Sequence, residues 1–217
     1  MFLNKRATAS FYTLLILSII SIILLIGRIY IKGSFVFVFL AWNLLLALVP
    51  LVCALLIFNL QKKYEGLKIL LLVIWLFFYP NAPYILTDYI HLSWSNFIVY
   101  DAILITFFAL AGLLAGLLSM YLVFVKLFHR LNKYYSWAII TLCSILTGFG
   151  IYLGRFLRFN SWDIITDRSN LLRWTTETLA RSNLFYLAVV TTLTTAIIHI
   201  SFFFIFYKLL DSKKRSD

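Results

Sequence analysis

Stretches of about 20 apolar residues follow one another along this chain, each long enough to cross a hydrocarbon core of roughly 30 Å. Backbone inside a bilayer must satisfy its own hydrogen bonds, so such runs fold as helices or as closed barrels. A barrel would alternate apolar and polar residues in strands of about ten. These runs are continuously apolar, which predicts an all-α polytopic transmembrane helical bundle. Only 12% of the 217 residues are charged, against about 25% in soluble domains. Six spans are expected, at about 9–29, 34–60, 67–88, 99–125, 135–155 and 183–207, in a single integral membrane domain of residues 1–217. The first run continues to about Ile26 without a small-x-small cleavage signal, and is expected to be a retained helix.

The third span sets a local problem. In FYPNAPYILTDYIHLSW, Pro80 and Pro83 interrupt a run that is uncharged from Ile69 to Tyr79. Leu67–Tyr79 alone would make about 20 Å of helix, too short to cross, whereas continuing to Leu86 gives about 30 Å. Pro80 cannot donate to the Leu76 carbonyl, nor Pro83 to that of Tyr79. The expectation is a crossing helix broken at Pro80/Pro83, with the Asn81 amide as a local donor. The alternative is a half-helix that re-enters the side it came from.

The net charge of +11 follows the spaces between spans, as the positive-inside rule requires. No separate basic-aromatic face invites nucleic acid. With the N-terminus inside, the inner segments hold 12 Lys and Arg, including Arg130, Lys213, Lys214 and Arg215, and the outer segments hold 7. Both termini are therefore expected in the cytoplasm, in the cell membrane. His129 sits among the inner basic residues and needs no special role. The outer loop 155–182 is unusual in carrying five arginines and no lysine. Arginine suits planar, multi-donor contact with carboxylate or phosphate. Leu171, Leu172, Trp174 and Leu179, set among Thr and Arg, predict a short helix lying in the membrane interface.

If spans three to five each cross once, NAPYILTDYIHL and GRFLRFNSWD share one side of the membrane. Tyr84, Thr87, Asp88 and His91 fall on one α-helical face by spacings of three, four and seven. Arg155 and Arg158 end span five, followed by Asn160 and Asp163, while Asp101 opens span four. The candidate polar site is thus Asn81, Tyr84, Thr87, Asp88, His91, Asp101, Arg155, Arg158, Asn160 and Asp163. Ionisable groups at membrane depth are expensive and mark a functional site by default. The competing reading is an Asp–Arg network that merely pins helix ends. One histidine with scattered carboxylates makes no metal signature, and no cofactor is expected. His199 and Asn43, mid-span, read first as interhelical hydrogen bonds. Cys53 and Cys143 behave as small buried hydrophobes. Gly112/Gly116 and Gly150/Gly154 are seams for close helix approach, within the bundle or in a homo-oligomer. HExxH, GxSxG and GxxxxGK[ST] are absent.

FYPNAPYILTDYIHL and GIYLGRFLRFNSWD together resemble the bacterial integral membrane family catalogued as domain of unknown function 1361. The resemblance extends from Trp42 and Asn43 through the last helix. It implies a multi-pass protein of the bacterial cytoplasmic membrane and carries over no catalytic role. Three functions stay open. One is binding or transport of a small anionic or zwitterionic solute or lipid headgroup, with the bilayer as the other partner. The second is a membrane-embedded enzyme acting on a lipid or envelope precursor, with Asp88 or Asp163 as base and His91 as its partner. The third is a non-catalytic membrane assembly partner.

Overall fold

The computed structural model describes residues 5–128 and 132–211. His129 and Arg130, and Lys213, Lys214 and Arg215 of the basic count, lie outside them. The described chain is helical: α1 (Lys5–Lys32), α2 (Phe39–Asn59), α3 (Glu65–Phe78), α4 (Asn81–Tyr84), α5 (Ile98–Val123), α6 (Lys133–Arg155), α7 (Asp163–Thr166), α8 (Arg168–Ala180) and α9 (Ser182–Asp211). A 3-10 segment, Ile85–Trp94, continues α4, and a short π-helical turn, Phe124–Phe128, continues α5. Six helical stretches among the described residues are long and apolar enough to cross a membrane: Lys5–Lys32, Phe39–Asn59, Glu65–Ser93, Ile98–Leu127, Lys133–Arg155 and Ser182–Leu210. The fold is the all-α, six-span architecture that the apolar runs dictate.

Two compact units divide the chain. The first takes the chain through Phe128 together with the last turns of α9 from Phe203, and the second takes what lies between. In the first unit α5 is the hub. Its buried positions run all round the helix, from Asp101 to Val123. α1 packs on it, and the buried positions of α1 form one narrow stripe, Ala7, Leu14, Ser21, Leu25 and Arg28. Four of these five recur every seven residues, the spacing of a shallow, left-handed helix crossing. The rest of α1 presents Leu15, Ile19, Ile23 and Ile26 outward, as a lipid-facing helix should. At the opposite end from Arg28, Arg6 donates to the Leu209 carbonyl of α9. Lys126 closes α2 by donating to the Phe58 carbonyl at 2.6 Å.

The third span is read most directly from its contacts with α5. Trp75 Nε1 donates to Ser119 Oγ, Tyr79 OH donates to the Gly116 carbonyl, and Tyr89 OH shares a hydrogen bond with Thr106. Ser95 meets Asp101. As residue numbers rise along the third span they fall along α5, without reversal. The segment therefore runs antiparallel to α5 from end to end, and a doubling back would reverse that order.

The prolines change its winding instead of ending it. α3 stops at Phe78, and both Tyr79 and Pro80 remain in right-handed helical conformation. The Tyr79 carbonyl, deprived of Pro83, accepts from Ala82 N–H at 3.1 Å. That diverts Ala82 from Phe78, whose carbonyl accepts from Asn81 Nδ2 at 2.9 Å. The expected local donor is thus in use, and each exchange tightens the turn. From Ile85 the chain winds as a 3-10 helix for ten residues, where runs beyond three or four are uncommon. Close packing holds it there: a Cβ on Gly116 would lie 2.8 Å from Ala82 Cβ, and one on Gly112 2.7 Å from Ile85 Cδ1. The Gly112/Gly116 seam is filled by the chain's own third span.

In the second unit, α6 and α9 run antiparallel and close. A Cβ on Gly148 would lie 2.4 Å from the Thr192 carbonyl oxygen. Ser144 Oγ and His199 Nδ1 hydrogen-bond at 2.8 Å across this pair, with both residues buried. His199 joins two helices here, as the bland reading of a mid-span histidine had it. The short helix predicted within 155–182 is present as α8, docked by a buried Tyr152–Thr178 hydroxyl pair at 3.1 Å.

Candidate functional site

The polar residues of the first unit gather where α1 ends, α2 and α5 begin and the 3-10 segment runs out. Winding decides which of them face together. A 3-10 helix turns every three residues, so positions three apart eclipse. Ile85, Asp88 and His91 form one row, while Tyr84 and Thr87 move to the adjacent one. The single α-helical face expected for Tyr84, Thr87, Asp88 and His91 is therefore split, because the winding past Ile85 has a shorter period. Thr87 spends its hydroxyl on the Tyr84 carbonyl at 2.6 Å.

Asp88 is 1% exposed. Its Oδ2 accepts from Asn43 Nδ2 at 3.0 Å, and its Oδ1 lies 3.8 Å from His91 Nε2. The latter distance is electrostatic proximity, too long for a hydrogen bond. The Phe39 ring meets His91 edge-on at 4.8 Å. Asn43, expected from sequence to hydrogen-bond between helices, does so as the donor that orients the buried carboxylate.

Asp101 is fully buried in the first turn of α5. Arg28 grips it with one edge of the guanidinium, Nε to Oδ1 at 3.1 Å and Nη2 to Oδ2 at 3.2 Å. The Ser95 hydroxyl donates to the same carboxylate, and Ser95 also accepts from Phe97 N–H. Arg28 lies over the Phe37 ring at 4.8 Å, and Phe37 and Phe39 stand 6.0 Å apart. A continuous path of contacts, Arg28–Phe37–Phe39–His91–Asp88–Asn43, links the two carboxylates' surroundings. Two parallel N–H···O contacts make the Arg28–Asp101 pair a geometrically demanding one.

Arg28 is the residue that the sequence reading passed over, having counted it only as a basic group between spans. The signal was present: seven-residue steps from Ala7, Leu14 and Ser21 lead to Arg28, so the arginine lies on α1's buried stripe and needs a carboxylate.

Arg155, Arg158, Asn160 and Asp163 belong to the second unit. α6 ends at Arg155, and Phe159 N–H reaches back to the Leu153 carbonyl at 3.1 Å. Arg158 between them adopts φ 61°, a left-handed conformation usually left to glycine. Asp163 Oδ2 accepts from the Asn160 N–H at 2.6 Å and its Oδ1 from Thr166 Oγ1 at 3.1 Å. The backward reach of Asp163 to the Asn160 N–H resembles one half of a capping box and commits Asp163 to shaping the entry into α7.

Among the described residues, no three His, Cys, Asp or Glu side chains come together as a metal site would need. The chemistry available is that of buried carboxylates, one imidazole and guanidinium groups: charge recognition and proton transfer. No curated protein and no solved structure matches the chain. A family model described as "Protein of unknown function (DUF1361)" matches residues 42–204, a span that includes both motifs and every residue of the site except Arg28, Phe37 and Phe39. On that match, which covers about three quarters of its length, this multi-pass membrane protein belongs to the DUF1361 family.

Proposed function

We propose that the protein binds, and in doing so carries or presents, a small anionic or zwitterionic solute or a lipid headgroup at a polar site on the outer side of a bacterial cell membrane. The observation that supports this most is Asp88. It is buried near the end of an apolar span and held by Asn43, with His91 alongside. A span needs no ionisable group for stability there, since well-packed apolar residues are often as good or better. In this reading Asp88 and His91 meet the cationic or hydroxyl part of the ligand. Both termini are cytoplasmic in this reading, as the charge count supports.

The test is ligand binding to the purified protein across a panel of phosphorylated, carboxylated and zwitterionic solutes and headgroups. Asp88→Asn should lower affinity for the bound member by tenfold or more while the unfolding midpoint stays within error. Unchanged affinity, with a large loss of stability, would make Asp88 a structural clasp and end the proposal.

A second reading, a membrane-embedded enzyme on a lipid or envelope precursor, draws on the carboxylate–imidazole approach of Asp88 and His91. Asp88 would act as base and His91 as its acid/base partner. It requires Asp88→Asn to abolish turnover while binding persists.

A further inference from the structure

We infer that α8, together with the α7 turn before it, is a phospholipid-binding surface held at headgroup depth and selective for anionic lipids. The inference concerns other residues than Asp88 and stands without the ligand site proposed above.

Depth comes first. Tyr152, which bonds Thr178 of α8, lies three residues before α6 ends, or about 4.5 Å of helix. At its other end α8 stops at Ala180 and α9 starts at Ser182. Both ends of the helix are therefore tied to the boundaries of membrane spans. Leu172 and Leu179, seven apart and so on one face, are 60% and 66% exposed, and Ile165 on α7 is 85% exposed. Trp174 is exposed as well, a residue favoured at the level of the headgroups.

Charge comes second. Every acidic side chain of the segment is engaged nearby: Asp163 with Asn160 and Thr166, Asp167 with Asn170, and Glu177 with Arg181. The side chains of Arg168 and Arg173 are exposed and make no hydrogen bond or ion pair among the described residues. Arg168 lies one turn before Leu172, and Arg173 borders the leucine face. An apolar face flanked by uncommitted guanidinium groups, pinned at the edge of a bilayer, fits acyl chains below and lipid phosphates beside it. The charge complement selects anionic lipid over zwitterionic lipid.

Native mass spectrometry of the full chain in detergent, with equimolar phosphatidylglycerol and phosphatidylcholine, reads this directly. The wild type should retain phosphatidylglycerol preferentially. Arg168→Gln and Arg173→Gln should each cut that preference about fivefold, the effect of one basic residue at a membrane surface. Replacing both by lysine should keep most of it. Leu172→Ser with Leu179→Ser should lower retention of both lipids and leave their ratio alone. The readout rests on Arg168, Arg173, Leu172 and Leu179, none of them in the proposed ligand site, so this inference and that site can fail separately. The inference is overturned by a ratio that ignores both glutamines, by displacement of the lipid with inorganic phosphate, or by dimer masses in place of lipid adducts.

Discussion

Asp101→Asn is the perturbation whose consequence is worked most fully from the geometry. Asp101 is fully buried and Arg28 is 7% exposed. Their two contacts at 3.1 and 3.2 Å join α1 to the first turn of α5. The asparagine keeps the shape and retains an acceptor for Ser95. It removes the charge, leaving the guanidinium buried against Phe37 and the Ser34 carbonyl. Breaking a buried pair from one side destabilises by about 3–5 kcal/mol. Replacing both partners with apolar residues of similar size is often neutral. Arg28→Met should therefore match the loss from Asp101→Asn, and the double variant Arg28→Met/Asp101→Leu should recover to within about 1 kcal/mol of wild type. The assay is loss of helical ellipticity in mixed micelles of rising denaturing-detergent fraction, with Arg28→Met, Asp101→Leu and their double variant closing a double-mutant cycle. Single variants that unfold with the wild type, or a coupling of at most about 0.5 kcal/mol, would mean that the pair behaves as an exposed one, and the reasoning from burial would fail.

Two further outcomes follow from backbone geometry in the second unit. Gly148→Ala puts a methyl 2.4 Å from the Thr192 carbonyl oxygen, so α6 and α9 must separate, and the unfolding midpoint should fall by the equivalent of about 1–3 kcal/mol; an unchanged midpoint would refute the close crossing. Arg158→Gly relieves the left-handed conformation at φ 61° and should stabilise by about 1 kcal/mol; a variant that loses stability would show that the arginine side chain secures the turn.

Much of this was legible because the bilayer makes sequence explicit. Length and continuity of the apolar runs define six spans, since no other element satisfies its backbone in hydrocarbon. The two prolines announced the break, and the missing N–H groups identified Asn81 as a local donor. The winding beyond the break was not legible. Whether a chain resumes as α or 3-10 helix after Pro83 depends on what it packs against, and the seat for Ala82 and Ile85 lies some 30 residues away at Gly112 and Gly116. Asp88 and His91 stood out as ionisable residues at membrane depth. Their neighbours did not, because pairings such as Asn43–Asp88 and Arg28–Asp101 join positions 45 and 73 residues apart. Asp163 shows the opposite limit: its partners are three residues away on either side, and local capping explains it without a ligand.

The glycine seam ties these pieces together. From sequence, Gly112 and Gly116 read as a seam for close helix approach, within the bundle or in a homo-oligomer. In the structure those glycines admit Ala82 and Ile85, where the 3-10 segment begins. A 3-10 helix rises about 2.0 Å per residue against 1.5 Å for an α-helix, and its period of three places Asp88 and His91 in the same row as Ile85. Widening the seam would lift that row from α5 and draw Asp88 away from Asn43. Gly112→Leu would then damage the candidate site from within the chain, whatever its effect on association. The seam that can still report on a second copy is Gly150/Gly154, and loss of self-association on substituting those glycines, with the Asp88 site unaffected, is the outcome that would favour an assembly role over a binding one.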